Sequence, residues 1–173
     1  THDGQVARCT LTDGNALWQQ QLDDPAFSTL LSDIDGDGQA EALVGTTQSD
    51  LFVLDSSGAE RWSCELTNIS GRGAHVSAIA TADLEGDGRL SVLAATAGWY
   101  VNAFAADGEP LWANWFRYHV ISALAVEDVD DDGRAEVMVG NVYSKPLTVH
   151  NFDGSFRWST FEQVGAEGNA TTP

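Results

Sequence analysis

Two short motifs recur along this chain with one shared period and a constant offset, and that pairing restricts the fold to a repeat architecture. The first is an acidic loop: Asp33-Ile-Asp-Gly-Asp-Gly38, Asp83-Leu-Glu-Gly-Asp-Gly88 and Asp128-Val-Asp-Asp-Asp-Gly133, with starts 50 and 45 residues apart. The second is a small turn followed by tryptophan: Asp13-Gly-Asn-Ala-Leu-Trp18, Ser57-Gly-Ala-Glu-Arg-Trp62, Asp107-Gly-Glu-Pro-Leu-Trp112 and Asp153-Gly-Ser-Phe-Arg-Trp158, with tryptophans 44, 50 and 46 residues apart. Chance matches would not hold two series in step. A period of this size is the length of a four-stranded propeller blade.

Between the motifs the sequence supplies the strands. Phe27 to Ser32, Ala40 to Thr46 and Leu51 to Leu54 are short apolar runs bounded by Gly and Asp turns, and a fourth strand centres on Arg61-Trp62-Ser63. The next two units repeat this order, from Val76 to Asn114 and from Ile121 to Thr160. Short runs without a helical period indicate an all-β fold. The sequence therefore predicts an all-β β-propeller with three full four-stranded blades plus a half blade. Residues 1–22 form the C-terminal half of a blade; 23–66, 67–116 and 117–162 are blades; and 163–173 connect to a next blade. Propellers close with ~4–8 blades. The expectation is a part of a larger propeller, or a protomer completed by a second chain.

The acidic loops place carboxylates at alternate positions of a tight turn. A hard cation such as Ca2+ takes six to eight oxygens, and such a turn can supply several of them. The expected ligands in the first loop are Asp33, Asp35 and Asp37, the backbone carbonyl of Gln39, and Glu41. In the third they are Asp128, Asp130, Asp132, the Arg134 carbonyl and Glu136. The second offers Asp83, Glu85, Asp87 and the Arg89 carbonyl, but Ser91 replaces the last carboxylate. The expectation is two to three Ca2+ ions, with loops one and three filling before loop two. These are not EF-hands, because position 12 holds Val44, Ala94 and Val139 instead of a bidentate Glu. Without a cation each loop gathers three or four negative charges at close quarters.

The loops and the strands after them resemble FG-GAP/VCBS repeats, as in integrin α-like propellers, and the Asp-Gly-x-x-Leu/Arg-Trp segments look like the blade ends of quinoprotein-like propellers. The resemblance implies metal loops joining the first two strands of each blade on one face, with ligands meeting the opposite face. Glu85 and Ser91 depart from the pattern, and the Phe-Gly…Gly-Ala-Pro signature is absent.

On that opposite face the connecting segments carry Arg72, His75, Trp99, Tyr100, Trp115, Arg117, Tyr118, His119, Asn141 and Tyr143. Aromatic rings stack on sugars and Arg pairs with uronate carboxylates. Arg72, Trp99, Tyr100, Trp115, Asn141 and Tyr143 are thus candidate ligand-binding residues. His75, Arg117, Tyr118 and His119 are weak candidates for proton abstraction. The four repeating tryptophans read as blade-to-blade packing; Trp99 and Trp115 fall outside that pattern.

Function follows less directly. The formal net charge of −18, from 26 acidic and 8 basic residues, argues against nucleic acid and anionic membrane surfaces as partners. No apolar stretch is long enough for membrane insertion. Cys9 and Cys64 allow one disulfide or two free thiols. Thr1 opens the chain with no signal peptide, as in a processed or excised chain, and Asn68-Ile-Ser70 and Asn169-Ala-Thr171 match the glycosylation acceptor pattern. One expectation is a secreted, extracellular or periplasmic, calcium-stabilised module that binds glycan or an extracellular protein. Another is a propeller polysaccharide lyase or other carbohydrate-active enzyme. A third, a quinone-cofactor dehydrogenase, rests on the tryptophan motif alone.

Overall fold

The computed structural model describes residues 3–69, 73–116, 120–141 and 147–160. They contain strands and turns, with no helix among the described residues. A two-stranded antiparallel ribbon comes first: β1 (Gln5–Cys9) and β2 (Ala16–Gln21). Three four-stranded sheets follow, each a simple antiparallel meander. The first is β3 (Ala26–Ser32), β4 (Glu41–Thr46), β5 (Asp50–Leu54) and β6 (Glu60–Glu65). The second is β7 (Val76–Ala82), β8 (Ser91–Thr96), β9 (Tyr100–Phe104) and β10 (Pro110–Trp115). The third is β11 (Ile121–Glu127), β12 (Glu136–Asn141), β13 (Leu147–His150) and β14 (Phe156–Ser159). The chain is thus the all-β succession of propeller blades that the repeat predicted. By its Gly-x-x-x-Trp motif, the β1–β2 ribbon corresponds to the outer strand pair of the later sheets.

The second strand of each meander explains why these sheets stack. β4 and β8 are buried along their whole length, so both faces carry apolar side chains. Successive residues point to opposite faces. Leu43 therefore faces the next sheet while Val92 and Ala94 face back, and together with Leu51, Val53, Val76 and Phe104 they form one core. Leu93, Ala95, Val101 and Ala103 repeat the arrangement against Ile121, Val137 and Val139. The first strands line up beside one another, β3 by β7 and β7 by β11. Ser32 Oγ and Thr81 Oγ1 meet across that seam at 3.0 Å.

The repeating tryptophans lock each sheet to its successor. The indole N–H groups of Trp18, Trp62 and Trp112 donate to the carbonyls of Ser56, Ala106 and Phe152, each at 3.0 Å. Each ring lies flat over the turn glycine of the next sheet. A Cβ on Gly58, Gly108 or Gly154 would come within 2.6, 2.9 and 2.8 Å of the ring carbons of Trp18, Trp62 and Trp112. All three glycines also have positive φ, between 81° and 93°. Gly14 has positive φ as well, yet nothing lies within 4 Å of its would-be Cβ, and Trp158 is exposed.

The two cysteines do not pair: Cys9 is exposed and Cys64 half-buried, with its thiol pushed up to about 11 by burial. The Asn68 amide is engaged within the protein, donating to Ser49 Oγ at 3.1 Å and to the Leu66 carbonyl at 3.0 Å. His150 occupies the place in its sheet that Leu54 and Phe104 hold in theirs, pairing with Val137 as they do with Ala42 and Val92. Its Nδ1 lies 3.0 Å from the Gly154 carbonyl, so the neutral ring carries its proton there. Burial holds its pKa below the ordinary histidine value.

Two outcomes follow from these contacts. Gly108→Ala should cost roughly 2–4 kcal/mol of unfolding free energy, because backbone strain and a ring clash add, whereas Gly14→Ala should cost only about 1 kcal/mol; urea unfolding of both variants measures the difference. The unfolded state takes up a proton on His150 more readily than the folded state. The stability this residue contributes is therefore complete above its unfolded pKa, near 6.5, and declines as pH falls through that value. Melting temperatures at pH 7.5 and 5.5 should fall further in the wild type than in His150→Leu.

Candidate metal centres

The loops between first and second strands all lie at one end of the sheets, and they fold by the same hydrogen bonds. The leading aspartate caps its own loop. Asp33 Oδ1 accepts from the Gly36 and Asp37 N–H groups at 2.8 and 3.1 Å, and Oδ2 accepts from Gly38 at 2.8 Å. Asp83 repeats this with Gly86, Asp87 and Gly88, at 2.6, 3.2 and 2.9 Å. Asp128 does so with Asp132 and Gly133, at 3.1 and 2.8 Å. The position-five aspartate then turns the chain. Asp37, Asp87 and Asp132 each accept from the N–H two residues on. This is Asx-turn chemistry, and Gly38, Gly88 and Gly133 supply the positive φ that follows it.

The caps leave carboxylate oxygens converging. Asp33, Asp35 and Asp37 each offer an oxygen within 4.8 Å of the others, and Asp128, Asp130 and Glu136 do the same. Among the described residues the second loop forms no such cluster. An all-oxygen donor set of this kind fits a hard divalent cation. Gln39, Arg89 and Arg134 stand at position seven of their loops, where a backbone carbonyl could serve a cation; Arg134 also stacks over the Phe152 ring at 4.2 Å.

Glu41 and Glu136 carry a second role that the sequence reading missed. Both are buried. Oε2 of Glu41 accepts from the Ile34 N–H, and Oε2 of Glu136 from the Val129 N–H, each at 3.0 Å. Their other oxygens meet arginines from the fourth strand. Arg61 Nη1 lies 3.2 Å from Glu41 Oε1 and 2.6 Å from Asp35 Oδ2. Arg157 Nη1 lies 2.7 Å from Glu136 Oε1, and its Nη2 pairs with Asp130. Hydrogen bonding from these guanidinium groups holds the Asp35 and Asp130 carboxyls below the usual aspartate range.

A register shift places the arginines. Trp62 pairs with Val53 and Glu60 with Leu54, so Arg61 is the extra residue of a β-bulge; Arg157, between Trp158 and Phe156, is another. Bulges re-aim a side chain, here toward the acidic loop of the same sheet. In the middle sheet the bulged residue is Leu111. The visible signal was the residue before each tryptophan: Arg where the loop ends in Glu, Leu where it ends in Ser91.

The opposite end holds the ligand candidates. Tyr100 and Trp115 are directly paired across β9 and β10, with Trp115 46 % exposed. Trp99 sits in the β8–β9 turn at φ 70°, the place Ser49 takes in the preceding sheet at φ 72°, and its carbonyl accepts from Phe116 N–H at 2.7 Å. His75 stacks on Phe27, ring centres 4.0 Å apart. Asn141 is buried at the end of β12. Arg72, Arg117, Tyr118, His119 and Tyr143 lie outside the described residues. The structure thus joins Tyr100 with Trp115 and keeps His75 against a phenylalanine.

Residues 33–94 match the family model of the FG-GAP-like repeat. With its loops and four-stranded meanders, the chain has the all-β, blade-like arrangement of a β-propeller, and residues 33–94 of it are similar to the FG-GAP-like repeat. No curated protein matches it. Among solved structures it is similar to the V. cholerae biofilm matrix protein Bap1, with TM-score 0.66 and 20 % identity over 91 % of this chain and 24 % of that one. It is also similar to Saccharomyces cerevisiae Sqt1, with TM-score 0.71 and 10 % identity over 91 % of this chain and 42 % of the other. A third likeness is to BBS1N from its complex with ARL6DN, with TM-score 0.63 and 11 % identity over 87 % and 45 % of the two chains. The chain spans less than half the length of each; at these identities the likeness speaks to the fold alone.

Glu41→Ala should destabilise the protein by about 3 kcal/mol, because it orphans the Ile34 N–H and strips Arg61 of a partner. Ser91→Ala, at the same position of the middle sheet, should cost less than about 1 kcal/mol. Chemical denaturation of the two variants checks the contrast.

Proposed function

We propose that this chain is a calcium-stabilised β-propeller module of an extracellular or periplasmic protein, presenting the end of its sheets opposite the acidic loops to a glycan or an extracellular protein. The observation that carries this reading is the convergence of carboxylate oxygens from Asp33, Asp35 and Asp37, and again from Asp128, Asp130 and Glu136, at one end of successive sheets. Bound there, Ca2+ would join the two strands that each loop connects. Millimolar calcium outside cells suits loops of moderate affinity, and the likeness to a biofilm matrix protein is in keeping with that location. At the other end the paired Tyr100 and Trp115 offer a broad aromatic surface of the kind that sugars stack on.

Saturating Ca2+ should raise the melting temperature of chelator-treated protein by several degrees, since one site filled at a hundred times its Kd adds about 2.7 kcal/mol. The Asp33→Ala, Asp128→Ala double variant should lose most of that shift. An identical transition with calcium and with EDTA would refute the reading. Trp115→Ala should weaken binding to whichever glycan an array identifies by roughly two- to tenfold while leaving the melting temperature near wild type.

A further inference from the structure

Three acidic loops with nearly the same backbone sit in different charge surroundings. At their ligand positions the first and third carry four carboxylates and the second carries three. One guanidinium bears on each of the four-carboxylate loops, Arg61 on the first and Arg157 on the third. Counting the ligand-position carboxylates against the bulge arginines alone, each loop keeps an excess of three negative charges; Arg89 lies further in loop two, and Asp131 and Arg134 in loop three. Where the carboxylate at position nine is missing, the bulge arginine is missing too: Ser91 and Leu111 replace the pair together. These shorter and apolar side chains leave space. Cavities of about 520 and 260 Å³ flank the second loop, and both are lined by Glu85 and Leu111.

Resting on the calcium reading above, we propose that the bulge residue before each blade tryptophan sets how its loop depends on metal. Arg61 and Arg157 are tethered counter-ions. Each occupies oxygens of two carboxylates, Asp35 with Glu41 and Asp130 with Glu136, that would otherwise face a cation. Loops one and three therefore keep their shape without a divalent ion and bind it more weakly than four carboxylates alone would. Among the described residues, loop two has no bulge arginine on its carboxylates, and its own Arg89 at position seven makes no ion pair with them, so it relies on the external cation. This reverses the filling order expected from counting carboxylates. The physical scale is large enough to matter. A single positive charge about 6 Å from a divalent ion opposes its binding by roughly tenfold even at the dielectric constant of water. Arg61 and Arg157 are positioning residues in this scheme; they neutralise and orient the ligating carboxylates.

The test is calorimetric titration of Ca2+ into the chelator-treated full chain, with melting temperatures recorded in EDTA and in saturating calcium. The Arg61→Leu, Arg157→Leu double variant copies what the middle sheet already has at Leu111. It should bind calcium about tenfold or more tightly at two sites, melt lower than wild type in EDTA, and regain its stability when calcium is added. Arg61→Lys, Arg157→Lys should keep wild-type affinity. If the leucine variant does not fold, Arg61→Gln, Arg157→Gln removes the charge with a polar side chain and should give the same tightening. The reciprocal graft, Ser91→Glu with Leu111→Arg, should reduce the calcium-dependent part of the melting temperature. Affinity unchanged or weakened on loss of the arginine charge would overturn the counter-ion proposal while calcium binding itself stands. No binding heat in the wild type and no calcium-dependent melting would overturn the calcium reading, and this proposal with it.

Discussion

The arrangement of sheets depends on one contact made three times: an indole laid over a glycine. Each of Trp18, Trp62 and Trp112 spends its N–H on a carbonyl of the next sheet and its ring face on the backbone of that sheet's turn. The turn must be glycine twice over, for its positive φ and for the absent Cβ. The contact fixes both the distance and the angle between neighbouring sheets at their outer edge. Further in, the apolar faces of β4, β8 and β12 and the neighbouring first strands β3, β7 and β11 set the spacing.

The acidic loops solve a different problem at one end of the same sheets. Their aspartates first satisfy the backbone of a sharp turn, and only the remaining oxygens are free to meet a cation. That order explains how a segment with so much negative charge can be built. Each leading aspartate is anchored by two or three N–H donors, and the buried Glu41 and Glu136 are held between an N–H and a guanidinium. Donors thus meet much of the charge, and what is left is the convergence of three carboxylate oxygens in the first and third loops.

Much of this was readable from the residues. Period, strand order and loop positions follow from the two motif series, since a turn glycine and a packing tryptophan leave marks that local sequence preserves. The strand limits moved by only a residue or so; Glu41, not Ala40, begins β4. Less legible was anything that depends on register. Arg61 and Arg157 looked like ordinary residues next to a tryptophan, and only the bulge shows that they aim at a loop some twenty residues earlier in the chain. Trp99 stood out in the sequence because it broke the tryptophan pattern. The structure gives it a local explanation, a left-handed turn position that its counterpart Ser49 shares. Glu41 was read as closing a metal shell, and its burial beneath Ile34 and Arg61 could not be inferred without the fold.

The tryptophan contact also has a direction. Among the described residues the ribbon and the first two sheets each grip the one after, and the gripping residue and the gripped glycine lie about one repeat apart in sequence. A duplication or deletion of one whole repeat would therefore carry a complete fastening with it and leave the others unaltered. The inventory of contacts places no limit on how many sheets such a protein can string together. Blade number is left to curvature, and so can drift over evolutionary time without a new interface having to be invented.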